Sequence, residues 1–143
     1  MALGSLEKVR QATLERSYRD VVSGLDDARR LLLVGEDGEA IVAMAQLAFS
    51  RETNADHRAE VQRVAVGVES RGGGVGRGLM SAVEAAAREH GVTLLWLTTH
   101  DGTDACRFYE SVGYTKLGVM PDYSRRPDGT LWPGAFYFRR LVA

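Results

Sequence analysis

The chain has 143 residues, of which 45% are hydrophobic and 26% charged, and its formal net charge is −1. This composition excludes a mostly disordered chain, fits a single domain over residues 1–143, and gives no reason to expect nucleic acid or a membrane as partner. Cys106 is the only cysteine, which excludes an internal disulfide and a cysteine-rich zinc site. We expect a cytoplasmic protein, because one cysteine suits a reducing compartment and residues 1–5 do not resemble a signal peptide.

The first half of the chain predicts one helix followed by three strands. Apolar residues recur at helical spacing after Ser5, and three strand-like segments follow. Asp37 and Gly38 predict a tight hairpin turn between the first two of these strands. The segments are a helix over Leu6–Val21 and strands over Arg30–Glu36, Ala40–Ser50 and Arg58–Val68.

The second half predicts helices alternating with strands. A helical stripe begins at Leu79 and ends at Gly91, a typical residue for a helix C-terminus. A continuous apolar run then predicts a buried strand. The segments after Gly91 are a strand over Val92–Thr99, a helix over Thr103–Ser111, a strand over Tyr114–Val119, a polar loop over Met120–Pro133 and an aromatic strand over Gly134–Leu141.

A glycine-rich loop, Arg71–Arg77, lies between the third strand and the next helix. Glycines let backbone N–H groups approach an anion closely, and the following helix N-terminus adds partial positive charge. The alternative is a turn that needs glycine for steric reasons alone. The loop contains no lysine, which excludes a Walker A motif, and its glycine spacing does not match a dinucleotide-binding fingerprint.

Two motifs resemble the GNAT superfamily of N-acetyltransferases. Arg71–Gly76 resembles the loop that holds the pyrophosphate of acetyl-CoA in this family, and Ala105–Tyr114 resembles its second signature. Asn54–Gln62 and Gly118–Tyr123 are similar to a narrower branch, the tabtoxin-resistance acetyltransferases. The resemblance implies an α/β fold with a mixed, mostly antiparallel central sheet flanked by helices.

Two positions depart from the family pattern. The chain opens in a predicted helix, so the usual first strand is expected to be absent. Gly102 stands where many members carry an asparagine that helps to hold the coenzyme. Both departures favour the alternative of a coenzyme-binding protein with little activity.

The resemblance also implies the residues of the site. Backbone N–H groups near Val64–Val66 would polarise the thioester carbonyl, and the Tyr109 hydroxyl would protonate the departing thiolate. The alternative for Tyr109 is a core aromatic, which is the role expected of Phe108. The coenzyme-binding set is Val64, Ala65, Val66, Arg71, Gly72, Gly73, Gly74, Val75, Gly76 and Arg77.

The general base is a choice among three side chains. Glu60 ranks first, because on a regular strand it shares a face with Gln62, Val64 and Val66 beside the cleft. His57 and Asp122 are the alternatives. His90 is expected near a helix end, His100 at a strand end, and Cys106 as a small buried thiol.

The final strand alternates its aromatic residues. We expect Phe136 and Phe138 to pack in the core, and Tyr137, together with Trp132, to face the acceptor or a partner subunit. Aromatic edge strands are compatible with a homodimer.

Together these features predict an acetyl-CoA-dependent N-acetyltransferase. It would acetylate a primary amine, expected to belong to a small molecule, by direct transfer in a ternary complex. No histidine or acidic spacing typical of a metal site is present, so we expect no metal. The alternative is a coenzyme A-binding regulatory or ligand-sequestering module.

Overall fold

The computed structural model describes residues 8–9, 29–38, 40–67 and 74–141. The described chain forms seven strands and two helices. In chain order they are β1 Lys8–Val9, β2 Arg30–Asp37, β3 Ala40–Phe49, β4 Arg58–Gly67, α1 Val75–Glu89, β5 Leu94–His100, α2 Asp104–Ser111, β6 Thr115–Arg125 and β7 Leu131–Arg140.

The strands form one mixed sheet in the order β2-β3-β4-β5-β7-β6, with β1 added on β4. The β2–β3, β3–β4, β5–β7 and β6–β7 pairs are antiparallel, whereas β4–β5 and β1–β4 are parallel. This confirms the expected mixed, mostly antiparallel sheet flanked by helices.

A two-residue strand is present where the sequence predicts only helix. Lys8 pairs with Val66 and Val9 with Gly67. Because β3 occupies one edge of β4, β1 lies on the same edge of β4 as β5. The helix prediction is therefore wrong at Lys8 and Val9, where pairing with β4 overrides the local periodicity, and the expected absence of a first strand is wrong as well. The rest of the predicted helix lies outside the described residues.

The two faces of the sheet differ. The helix face is the one on which α1 and α2 pack, and it carries Val61, Val64, Leu95 and Ala135 in one apolar cluster with the buried helix residues. We call the opposite side the open face, because neither α1 nor α2 packs on it, although Met44, Gln46 and Ala65 are buried there. It carries Glu60, Gln62, Trp96 and Phe138, because strand residues alternate between faces.

The C-terminal strands are longer than predicted. The segment Met120–Pro133 was expected to be a loop, but β6 runs through residues 120–125 and β7 begins at Leu131. The prediction missed this because almost every residue of β6 is exposed, so no alternating apolar pattern marks it. A short turn at residues 126–130 joins the two strands, with Gly129 at φ 90°.

None of the helices in the described part of the chain is long and apolar enough to cross a membrane.

Candidate active site

An opening in the sheet lies between β4 and β5. The two strands pair in parallel only from Arg58–Leu94 to Glu60–Trp96, although β4 continues to Gly67 and β5 to His100. From Val61 to Ala65, the edge of β4 that faces β5 therefore has no partner strand in the described part of the chain. Backbone polar groups on such an edge are available to a ligand.

A β-bulge shapes β4 at this opening. On β3, Met44 pairs with Ala65 and Gln46 with Gln62, so β4 contains one extra residue between these pairs. Arg63 takes the left-handed conformation at the bulge, with φ 52°. A bulge re-aims the side chains that follow it and leaves backbone groups unpaired, which is a common device beside active sites.

The bulge corrects the predicted placement of Glu60. Val64 and Val66 belong to the apolar cluster on the helix face with Val61, whereas Glu60 and Gln62 lie on the open face. Glu60 therefore does not share a face with Val64 and Val66. The prediction assumed unbroken alternation, and the extra residue at Arg63 reverses it.

Glu60 ends a chain of polar side chains across β3 and β4. Gln46 Nε2 donates to Gln62 Oε1 over 2.6 Å, and Gln62 Nε2 donates to Glu60 Oε1 over 2.8 Å. Burial raises the pKa of the Glu60 carboxyl above its ordinary value, while the Gln62 hydrogen bond and the charge of Arg30 act in the opposite direction. A half-buried carboxylate with a raised pKa is a better proton acceptor than an exposed one.

The described part of the glycine-rich loop forms the N-terminus of α1. Gly74 is the N-cap with φ 81°, so the helix begins at Val75 rather than at Leu79 as predicted. No side chain in the described structure caps it, and its first turn contains no acidic residue. Its first N–H groups are thus unsatisfied by side chains and suited to an anion. Arg71, Gly72 and Gly73 lie outside the described residues.

Arg77 lies in the first turn of α1 with an exposed side chain. Its Nη2 donates to the Ser111 hydroxyl at the end of α2 over 3.3 Å. This bond links the start of α1 to the end of α2.

Tyr109 is completely buried on α2, at 1% exposure, whereas Phe108 is only partly buried. Its ring packs edge-on against Phe108 and Tyr114 and is tilted against Tyr137. The packing role expected of Phe108 thus belongs more to Tyr109. The catalytic role of Tyr109 stays a prediction.

The other base candidates lie away from the polar chain. His57 is exposed before β4, and its carbonyl accepts hydrogen bonds from Thr93 and Leu94. Asp122 is exposed in β6 at φ 57°. His90 follows α1, where its Nδ1 lies 2.8 Å from the Ala86 carbonyl, as expected for a residue at the helix end.

The residues at the end of β5 form a separate contact. The His100 ring stacks on Trp132 with centroids 4.6 Å apart, and the guanidinium carbon of Arg126 lies over the Trp132 ring, 3.5 Å from its centroid. Cys106 is buried, and its Sγ lies 3.4 Å from the His100 carbonyl oxygen, which confirms a small buried thiol.

Among the described residues no three histidine, cysteine or acidic side chains come together as metal ligands.

The aromatic residues of β7 alternate as predicted but face the opposite way. Tyr137 is buried on the helix face, where its hydroxyl donates to Glu110 Oε2 over 2.6 Å. Phe136 and Phe138 are only partly buried, on the open face. The prediction was wrong because Tyr137 finds a polar partner on α2, a contact distant in sequence.

A pocket of about 550 Å³ lies on the open face next to Glu60. Its size suits a small-molecule ligand. Sequence reasoning missed it, and it missed Gln46 as well, because the cross-strand register that assembles both has no local signal. The residues that line the pocket include Arg58, Leu94, Trp96, Leu117, Phe138 and Arg140.

The mixed sheet, its opening between β4 and β5 and the helices packed on it define an α/β fold, and the comparisons with known proteins identify its family. The model of the acetyltransferase (GNAT) family matches residues 5–114, and the chain belongs to this family. The relation to the tabtoxin-resistance branch stays a prediction.

Three similar proteins illustrate the relationship. N-alpha-acetyltransferase 80 of Mus musculus is 40% identical over 77 residues, 54% of this chain and 24% of the mouse protein, so the match spans about a quarter of that relative. A ribosomal-protein-alanine N-acetyltransferase from Brucella melitensis has a TM-score of 0.73 at 25% identity, over 90% of this chain and 78% of that chain. The structure of yncA from Salmonella typhimurium, which contains its cofactor acetyl-CoA, has a TM-score of 0.72 at 21% identity, over 99% and 80%.

Proposed function

We propose that this chain transfers the acetyl group of acetyl-CoA to a primary amine, by direct transfer in a ternary complex. The observation that carries the proposal is the position of Glu60, a carboxylate of raised pKa held by Gln62 beside the free edge of β4. A proton acceptor next to a strand edge that can hold an acyl group is what amine acetylation requires.

Acetyl-CoA fits the described residues. The uncapped first turn of α1 offers N–H groups to the pyrophosphate, together with Gly74–Arg77, and Arg71–Gly73 complete the proposed loop. The N–H groups near Val64–Val66 would donate hydrogen bonds to the carbonyl oxygen and stabilise the negative charge that develops on it; of these residues, Val64 and Ala65 lie where the edge has no described partner strand and Val66 pairs with Lys8. When bound, acetyl-CoA supplies a thioester, which is an activated acetyl group.

Glu60 accepts the proton that the acceptor ammonium loses. The amine nitrogen then forms a bond to the carbonyl carbon, and the bond between that carbon and sulfur breaks with its electron pair on sulfur. The Tyr109 hydroxyl donates a proton to this thiolate, so coenzyme A leaves as a thiol, and the second proton lost by the attacking nitrogen passes to the Tyr109 oxygen and restores its hydroxyl. The products are an amide and the free coenzyme, and no acyl-enzyme is needed.

The acceptor is proposed to be a small molecule, because a pocket of about 550 Å³ suits one. A second acceptor class is the α-amine of a peptide or protein. Two of the similar proteins carry names that describe such acceptors, an N-alpha-acetyltransferase and a ribosomal-protein-alanine N-acetyltransferase.

The test is acetylation of a panel of primary amines and short peptides by the purified protein. Release of the coenzyme thiol and the mass of one added acetyl group on the acceptor are both measured, and acetyl-CoA binding is measured by calorimetry. Turnover that depends on acetyl-CoA supports the proposal. Tight acetyl-CoA binding without turnover on any acceptor would instead support the coenzyme-binding module.

A further inference from the structure

The pocket on the open face carries two guanidinium groups at one end. Arg58 pairs with Leu94 on β5, and Leu94 pairs with Arg140 on β7, so the three residues form one row across the sheet. Both arginines line the pocket and both are exposed. Neither forms an ion pair with any side chain in the part of the chain that the structure describes.

The next row of the same face carries the proton acceptor and an aromatic floor. Glu60 pairs with Trp96, and Trp96 pairs with Phe138. Glu60 follows Arg58 by two residues on β4, so their backbone positions are about 7 Å apart on one face of the sheet. Across the pocket, Leu117 adds a further apolar side chain.

We infer that the acceptor is a primary amine with an apolar or aromatic body and a carboxylate at the end opposite the amine. The inference rests on the proposed function. Arg58 and Arg140 bind the carboxylate, since two guanidinium groups without an ion-pair partner among the described residues complement a carboxylate and can bind it in bidentate fashion. The body packs on Trp96 and Phe138, and the amine then lies toward Glu60.

The spacing of the two rows sets the length of the acceptor. With its carboxylate at the Arg58–Leu94–Arg140 row and its amine at the Glu60 row, the acceptor spans about one strand repeat, or about 7 Å. A diamine of the same length would place a second cation against the two arginines, and the pocket should reject it.

The test uses three amines with the same aromatic body: para-carboxyphenethylamine, para-methylphenethylamine and para-aminomethylphenethylamine. We expect kcat/KM to be about tenfold or more higher for the carboxylated amine than for the methylated one, and lowest for the diamine. This preference should decrease at high salt, because the pocket is open to solvent. Equal kcat/KM values for the three amines would overturn the inference while leaving the acetyltransferase function intact.

Two variants assign the preference to the pocket. Arg58→Gln and Arg140→Gln should each reduce the ratio of the carboxylated to the methylated amine severalfold, whereas Arg88→Gln, on the exposed side of α1, should leave it unchanged. The double variant Arg58→Glu/Arg140→Glu should favour the diamine. The inference would also be overturned if Arg58→Gln, Arg140→Gln and the double variant all kept the ratio of the parent.

A binding measurement separates this inference from the proposed function. If none of the amines is acetylated, the acetyltransferase proposal fails. Calorimetry with para-carboxyphenethylamine, in the parent and in Arg58→Gln, still tests the pocket. Binding that Arg58→Gln weakens about tenfold supports the carboxylate site, and the absence of binding in the parent overturns it.

Discussion

Gln62 donates a hydrogen bond to Glu60 over 2.8 Å from the residue immediately before the bulge at Arg63. The carboxylate is thus fixed by its own strand at the last point where β4 still alternates regularly. After Arg63 the alternation changes, so Val64 and Val66 return to the helix face. One strand consequently supplies both a positioned carboxylate on the open face and a free backbone edge.

Glu60→Gln should lower kcat by about 10²–10⁴, since the amide cannot accept a proton. Because the pKa of Glu60 is raised, the parent should lose activity as the pH falls through that pKa. The residual activity of the variant should not show this decrease at low pH. The measurement is kcat against pH with an accepted amine. The matched control is Glu52→Gln, in the exposed loop before β4. A parental kcat in Glu60→Gln would exclude Glu60 as the base.

The same substitution should raise the stability of the protein at neutral pH. A raised carboxyl pKa means that the folded state binds the proton more tightly than the unfolded state, so the stability of the parent falls as the pH rises from the ordinary pKa through the raised one. Glutamine does not titrate. The difference in free energy of unfolding between Glu60→Gln and the parent should therefore grow between about pH 4 and about pH 8. Urea unfolding at both pH values measures it, and a constant difference would contradict the pKa assignment.

Tyr109→Phe should lower kcat by about 10²–10⁴ and leave the Kd for acetyl-CoA within a few-fold, because the hydroxyl acts mainly as sulfur gains charge. Tyr114→Phe is the matched control. The Tyr114 hydroxyl is buried without a hydrogen-bond partner among the described residues, so its removal should leave kcat unchanged and should not reduce stability. Steady-state kinetics and calorimetry measure both variants. If both variants turn over like the parent, Tyr109 is a packing residue.

Gly74→Ala and Gly78→Ala should have opposite effects on α1. Gly74 has φ 81°, which a side chain makes unfavourable by about 1–2 kcal/mol, and its distortion would move the first N–H groups of the helix. Gly78 is helical with open space around its Cα, so alanine should stabilise the protein by about 0.5–1 kcal/mol. We expect acetyl-CoA affinity to fall about tenfold in Gly74→Ala only. Parental affinity in Gly74→Ala, measured by calorimetry, would exclude this helix N-terminus as the pyrophosphate site.

Gly134→Ala should destabilise the protein by about 1–3 kcal/mol. A Cβ at Gly134 would lie 2.6 Å from the Tyr123 ring, which packs edge-on against Phe136 and places its hydroxyl 3.2 Å from Thr98 Oγ1. Tyr123→Ala should relieve the clash, so the double variant should lose less stability than the sum of the single variants. Additive losses in urea unfolding would show that the ring does not restrict this position.

Local signals in the sequence were sufficient for the elements that depend on nearest neighbours. Gly38 has φ 63° in the β2–β3 turn, as predicted, and α2 ends at Ser111 as predicted but begins at Asp104, with Thr103 as its N-cap rather than its first residue. Glycine favours positive φ, and threonine favours the N-cap, whatever lies elsewhere in the fold.

The site was harder to predict because it depends on contacts between distant segments. Arg63 gives no sequence signal for a bulge, since arginine rarely adopts positive φ. The exchange of Tyr137 and Phe136 between the faces depends on Glu110, which is 27 residues from Tyr137. The sequence places Gln62 near Glu60, because the two residues are two positions apart on one strand. Gln46 lies 16 residues from Gln62, and only the register between β3 and β4 brings the two side chains together.

The bulge at Arg63 also governs how relatives can be compared with this chain. If a relative lacks the extra residue, an ungapped alignment across β4 pairs open-face positions with helix-face positions on one side of Arg63. Deleting this single residue would restore regular pairing with β3, so Val64 and Val66 would stay on the helix face while the strand lost the kink beside Glu60. A relative without the bulge would therefore keep both faces of β4 but would lack this backbone geometry at the edge that faces β5.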